Sequence, residues 1–271
     1  MLYWVTIVSL TIKTNMRIAI IGAGNMGGAI ARGLAKGSFI KEEELTVSNP
    51  SNGKLERLKA EFPKLHTTNS NQEAVMGADI VILAVKPWKV EEVLVPLQLH
   101  RPQILVSVAA GVTFEALKHY VATDMTLFRV IPNTAIAEGA SMTLVAACNA
   151  TSEQTDLQLS LFNEMGLSIL LEEKQLSCAT ALTSCGIAYV FKYVQAAMQA
   201  GVEGGLRPKE AQRMLAQTLK GAAEILLKED THPSVEIDKV TTPGGITIKG
   251  VNELEHNGFS SAVIKAIKAS L

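Results

Sequence analysis

The sequence predicts an α/β chain in two parts: an N-terminal doubly wound parallel sheet, then an all-helical C-terminal domain. Three observations predict it. Apolar runs alternate with helix-period stretches through the first half, the first run ends in a glycine turn that opens a helix, and beyond "LSILLEE" the strand pattern stops. The expected divisions are residues 1–15 as an arm or an overlong start, 16–167 as the sheet domain, and 168–271 as the helical domain.

"RIAIIGAGNMGGAIARGLAKG", from Arg17, reads as strand, glycine turn and helix. Further apolar runs follow at "LTVSN", "ADIVILAVKP", "QILVSVAAG" and "TLFRVIPNT", with helix-period stretches such as "GKLERLKAEF" and "TFEALKHYV" between several of them. Strands separated by helices pair in parallel. In the second half, helices are expected from about Lys174 to Ala200 and from Pro208 to Lys228, with proline near the first turn; His232-Pro233 is a break and "SSAVIKAIKASL" a final helix. "GIAYVFKYVQAAM" is apolar around much of its circumference, more than a lone surface helix tolerates. Such helices either pack against a second copy, giving a homodimer or a higher assembly built on dimers, or bury one another within the chain.

Composition narrows the function. A chain of 271 residues, 48% hydrophobic with a formal net charge of −1, builds a globular core and has no long-range field for nucleic acid or an anionic membrane. The opening "MLYWVTIVSL" is too short to span a bilayer, and its first basic residue, Lys13, follows the apolar run instead of preceding it. Cys148, Cys178 and Cys185 are odd in number and lack metal-ligand spacing, so reduced thiols in a cytoplasmic protein are expected, with no metal site.

Gly22-Ala23-Gly24-Asn25-Met26-Gly27 fits GxGxxG where that pattern carries meaning, after a strand and opening a helix. In a Rossmann-type turn Gly22 permits the bend, Gly24 lets backbone approach a pyrophosphate, and Gly27 lets helix pack on strand. The alternative is a purely structural turn. At Ser48-Asn49, roughly 20 residues on, no acid awaits a ribose 2′-hydroxyl. Small polar groups there, with Lys54 nearby, favour NADPH over NADH, unless they only make a turn. Ala84-Val85-Lys86-Pro87, Ala109-Ala110-Gly111 and Pro132-Asn133-Thr134 fall at further expected strand ends, which line the ligand crevice of an open parallel sheet. In "VTTPGGITIKG", Gly244-Gly245 is able to expose successive backbone N–H groups to an anion, and Thr247 opens an apolar-periodic stretch, where its hydroxyl caps a helix or faces a ligand.

The glycine turn, "LAVKP", "VSVAAGV", "IPNT", "GIAYVF" and above all "DKVTTPGGITIKGVNELE" resemble the pyrroline-5-carboxylate reductase family, in its order, from Met16 nearly to the C-terminus. The resemblance implies reduction of the imino acid 1-pyrroline-5-carboxylate to L-proline, the last step of proline biosynthesis. It implies NADPH, or less preferably NADH, across Gly22 to Gly27, with Ser48 and Asn71 at the 2′-phosphate and Ala84–Pro87 and Ala109–Gly111 along the adenosine-to-nicotinamide axis. It gives the substrate to Thr242, Gly245, Ile246 and Thr247, and places Glu173 near it. Thr247 is the expected catalytic hydroxyl, hydrogen-bonding the substrate ring nitrogen. The chain departs from the family's pattern at Cys185 and Ile187, at Lys239, at Ile246 and at Ala135. Two rivals stand beside this reading: a reductase of another cyclic imine or a β-hydroxy acid, with Lys192 as a candidate general acid, and a dinucleotide-sensing regulator without turnover.

Overall fold

The structure is a computed structural model that describes residues 16–271; the expected N-terminal arm lies outside the described residues. In chain order the first unit runs β1 (Ile18–Ile21), α1 (Asn25–Lys36), β2 (Leu45–Ser48), α2 (Asn52–Glu61), β3 (His66–Thr68), α3 (Asn71–Val75), β4 (Ile80–Leu83), α4 (Val90–Leu94), β5 (Ile104–Ser107), α5 (Phe114–Lys118), β6 (Thr126–Ile131), β7 (Ser141–Cys148), α6 (Ser152–Asn163), β8 (Gly166–Leu170) and α7 (Leu176–Thr180). β1, β4 and β5 are buried at every position, as strands with helices on both faces must be. Alternation along β1 sends Ile18 and Ile20 into one core with Ile30, Leu34, Leu58 and Phe162 of α1, α2 and α6. Ala19 and Ile21 face the other core, with Val75, Leu94, Leu117 and Leu176 of α3, α4, α5 and α7. Arg32 on α1 grips Glu61 at the end of α2 through Nε and Nη2, each 2.6 Å from a carboxylate oxygen, and this holds the Glu61 carboxyl below the usual range.

The sheet order is β3-β2-β1-β4-β5-β6-β7-β8. The chain turns back between β1 and β4, so the carboxyl ends of these neighbours form the crevice where open α/β sheets bind ligands. Two strands escaped sequence reading, β3 and β7; in a sheet otherwise parallel, as expected, β7 pairs antiparallel with β6. Residues 132–140 join the two and hold only a 3-10 turn at Thr134–Glu138. A parallel neighbour needs a crossover of about a dozen residues or more, usually a helix.

The compact units divide between Thr180 and Ala181, where the sequence suggested 167/168. β8 explains the shift: it extends the sheet in parallel with β7, from Ser141 opposite Gly166 to Val145 opposite Leu170. The second unit opens with a π-helical turn, Ala181–Cys185, and continues as α8 (Gly186–Glu203), α9 (Pro208–Glu229), α10 (Pro233–Val240), α11 (Ile246–His256) and α12 (Phe259–Lys268). Pro208 and Pro233 sit at helix starts, where a missing N–H costs nothing. Among the described residues of this unit the buried hydrophobic side chains are only Ala181 and Ala211, while Phe191, Met214, Leu227 and Ile264 are exposed. The helices therefore do not bury themselves within one chain. No helix among the described residues is long and apolar enough to cross a membrane.

Candidate functional site

The three fingerprint glycines meet three different surroundings. Gly22 has φ +102°, donates its N–H to the Ser48 carbonyl at 2.8 Å, and has the Ala84 carbonyl oxygen 2.5 Å from where a Cβ would lie. At Gly27 a Cβ would strike the Gly22 carbonyl and come within 2.8 Å of the Ala84 Cβ, so helix and strand touch there. Gly24 caps α1 in an extended conformation (φ −69°, ψ −169°), and nothing lies within 4 Å of its would-be Cβ. Packing explains the first two and not the third. Behind Gly24 stand the N–H groups of Asn25, Met26 and Gly27, which a helix start leaves without intrahelical partners, with no side-chain cap and no acid in the first turn. A pyrophosphate fits that space and charge.

Because β1, β2, β4, β5 and β6 run parallel, the other expected cofactor residues come to the same edge. Asn49 accepts the Ala23 N–H on Oδ1 at 3.1 Å and donates from Nδ2 to the Ser51 carbonyl and hydroxyl, pinning the glycine turn to the end of β2. Ser48 is fully buried and donates to Asn71 Oδ1 at 2.8 Å, so its hydroxyl orders the rim instead of facing solvent. Asn69, missed in the sequence, donates to the Asn49 carbonyl and to Asn52 Oδ1. This rim is neutral, and Lys54 is exposed beside it on α2. Ala84 packs under the glycines; Val85 is half-buried, and Lys86 reaches to 5.9 Å above the ring of the exposed Trp88, just past Pro87. After β5, Ala109 is buried, whereas Ala110 and Gly111 are exposed, and Gly111 takes φ +77° with open space around it. Asn133 caps the 3-10 turn, accepting the Ala135 N–H at 3.0 Å, and receives no solvent-facing position.

Glu173, which the resemblance places near the substrate, has partners within its own unit. Its Oε1 accepts from Arg129 Nη1 and from the Phe114 N–H, both at 2.7 Å.

In the second unit, Pro243-Gly244 makes a turn with Gly244 at φ +72°, and the Gly245 N–H returns to the Thr242 carbonyl at 2.9 Å. Gly245, extended, is the N-cap of α11 and gives it no side-chain cap; a Cβ on it would stand 2.8 Å from Thr242 Oγ1. Thr247 thus does not cap the helix, as one sequence alternative had it. It is the second helical residue, exposed, in a first turn without an acid. Ile246 is 86% exposed, and its N–H, the first of α11, has no intrahelical partner and no side-chain cap. Within its own unit, this loop repeats the chemistry of the α1 start: glycine, unspent N–H groups, positive helix end.

Comparison with known proteins now decides the family. A pyrroline carboxylate reductase of Plasmodium falciparum, solved with NADP bound, is 30% identical over 94% of this chain and 95% of its own, with a TM-score of 0.81. Pyrroline-5-carboxylate reductase 2 of Dictyostelium discoideum is 37% identical over 97% of this chain and 93% of its own. The chain belongs to the pyrroline-5-carboxylate reductase family. Reductase 1 of the same organism is 39% identical, and this chain spans 48% of that longer protein. The sequence model for pyrroline-5-carboxylate reductase dimerisation matches residues 173–271, and that for the coenzyme F420-dependent NADP oxidoreductases matches 17–111.

Within this reductase family the departures now have places. Cys185 ends the π-helical turn, where Ser184 Oγ is buried without a hydrogen-bond partner, and Ile187 follows on α8. Lys239 is held by Glu236 at 2.8 Å, and that contact, with the Thr231 hydroxyl, keeps the Glu236 carboxyl low. Lys192, the rival general acid, is exposed and donates to Gln195 at 3.0 Å. The three cysteines are free, and no His, Cys, Asp and Glu cluster able to hold a metal occurs among the described residues.

Proposed function

We propose that the chain reduces 1-pyrroline-5-carboxylate to L-proline with NADPH, NADH being the poorer donor, as an enzyme of proline biosynthesis. The observation that carries this reading is the uncapped, acid-free start of α11 beyond Gly245, a carboxylate receptor on a chain whose first unit carries a pyrophosphate receptor at Gly24. The cofactor fits by the space at Gly24 and by the neutral, acid-free rim of Ser48, Asn49 and Asn71. Asn25, Met26 and Gly27 supply N–H donors to the pyrophosphate; the strand-end segments Ala84–Pro87 and Ala109–Gly111 flank the rest of the cofactor. Bound there, the nicotinamide supplies a hydride.

The imine nitrogen first takes a proton that comes from water; the carbon of the resulting iminium accepts the hydride, the C=N π pair moves onto the ring nitrogen, and the nitrogen ends as the neutral secondary amine of proline. An iminium is already electrophilic, so the protein's main tasks are to orient two reactants and exclude water. Thr242 through its hydroxyl and Ile246 through its backbone N–H hold the carboxylate, while Gly245, whose own N–H turns back to the Thr242 carbonyl, keeps the approach free of a side chain. The Thr247 hydroxyl hydrogen-bonds the ring nitrogen; with an ordinary alcohol pKa it orients the ring and passes a proton from water instead of acting as the acid itself.

The exposed helices of the second unit are proposed to close on a second copy. Phe191, Val194, Met198 and Val202 line a groove of about 500 Å³ between α8 and α9, and the unit buries too little apolar surface by itself to stand alone. The unpaired cysteines suit a reducing, cytoplasmic setting. Steady-state reduction of pyrroline carboxylate, set beside other cyclic imines, keto acids and hydroxy acids, tests the assignment; preference for any of the others would displace it.

A further inference from the structure

We infer that Glu173 is a positioning residue for the cofactor turn Ala109–Gly111, acting through the first backbone N–H of α5. This rests on the proposed NADPH reading. The turn has one long backbone hydrogen bond of its own, from the Val112 N–H to the Ala109 carbonyl at 3.4 Å; Ala109, Ala110 and Gly111 carry no polar side chain, and Gly111 sits in the left-handed region with open space about it. It is fixed by its ends. On the strand side the Val108 N–H binds the Leu83 carbonyl at 3.1 Å and the Ala109 N–H reaches Ser107 Oγ at 3.4 Å. On the helix side Thr113 caps α5 but spends its hydroxyl oxygen on the Ala116 N–H, leaving the Phe114 N–H, first of the helix, without an intrahelical partner. Glu173 takes that N–H at 2.7 Å from 59 residues away.

Arg129 explains why a carboxylate stands there. It lies on β6 on the face shared by Leu127 and Ile131, opposite Ser107 in register, with a side chain only 9% exposed. A guanidinium so placed requires a charged partner, and the same Glu173 oxygen that holds Phe114 provides it at 2.7 Å. One oxygen therefore joins β6, the start of α5 and the segment before α7. The family resemblance placed Glu173 near the substrate; the geometry commits one of its oxygens to Arg129 and to the start of the helix that follows the cofactor turn.

The test is NADPH titration without substrate, together with separate KM values for both reactants and a melting temperature, on Glu173→Ala and Glu173→Gln. The expected result is an NADPH Kd raised about tenfold in Glu173→Ala and partly recovered in Glu173→Gln, whose Oε1 still accepts from Phe114. The pyrroline-carboxylate KM at saturating NADPH stays unchanged. A raised substrate KM with unchanged NADPH affinity would overturn the inference in favour of direct substrate contact. A lowered melting temperature with both constants unchanged would overturn it in favour of a structural tie alone. If Glu173→Ala does not fold, Glu173→Gln carries the test: a smaller rise in Kd supports the inference and an unchanged Kd overturns it. A wild-type chain that binds NADPH but does not turn over pyrroline carboxylate would remove the proposed substrate while the same titration still decides Glu173.

Discussion

Adding one methyl group at Gly24 and the same group at Gly27 should damage opposite properties. Gly24 already has dihedrals open to any L-residue, and its would-be Cβ meets nothing within 4 Å. Gly24→Ala should therefore fold as well as the parent: the gain from a less flexible unfolded chain, about 0.4–1 kcal/mol, roughly offsets a weaker N-cap. The new Cβ occupies the space assigned to the pyrophosphate. A phosphate pushed back from the Asn25, Met26 and Gly27 N–H groups loses charge-assisted hydrogen bonds worth about 1.5–3 kcal/mol, so the NADPH Kd should rise roughly ten- to a hundredfold. Gly27→Ala instead drives a Cβ into the Gly22 carbonyl and against Ala84, and overpacking of this kind costs about 1–3 kcal/mol or more. Calorimetric NADPH titration with thermal unfolding of both variants reads the two effects. Unchanged NADPH affinity in a stably folded Gly24→Ala would refute the reasoning, because the space at Gly24 would then hold no phosphate.

Three further outcomes follow from the same geometry. Thr247→Ala should lower kcat about tenfold without abolishing turnover and leave NADPH affinity unchanged, as single-turnover kinetics would show; unchanged kcat removes the hydroxyl from the mechanism. Asn49→Asp keeps an acceptor for the Ala23 N–H but places a charge on the neutral rim, so the ratio of NADPH to NADH specificity should fall at least about tenfold. Phe191→Asp on the exposed apolar face of α8 should convert the assembly toward monomer in analytical ultracentrifugation, with no loss of secondary structure; an unaltered sedimentation profile argues that another face joins the copies.

Strand β1 and the glycine turn were legible because period and punctuation agree there: four buried apolar residues, then Gly22 and Gly27, which the close strand-helix contact requires. Strand β7 was not, because its eight residues mix Ser, Thr and Ala, and its direction depends on the short connection behind it. Strand β3 is a three-residue edge strand of His and Thr, with no apolar period at all. The candidate position Gly24 could be read from spacing, since glycine marks where backbone is exposed, whereas the Gly245 N–H, expected to face an anion, turns back to the Thr242 carbonyl, a local turn that spacing does not show. The role of Glu173 could not: its two contacts lie 44 and 59 residues away, and nothing local distinguishes it from Glu172 beside it. Asn69 was hidden for the same reason, since its partners come from the ends of other elements.

The most direct test of the account is the initial rate of nicotinamide oxidation by the purified chain with 1-pyrroline-5-carboxylate, NADPH and NADH run side by side, and proline measured in the same tube. The account predicts one proline formed per nicotinamide oxidised, faster with NADPH. Tight NADPH binding with no proline formed would contradict it, leaving the pyrophosphate receptor at Gly24 intact and the assignment of the Gly245 loop to this substrate wrong.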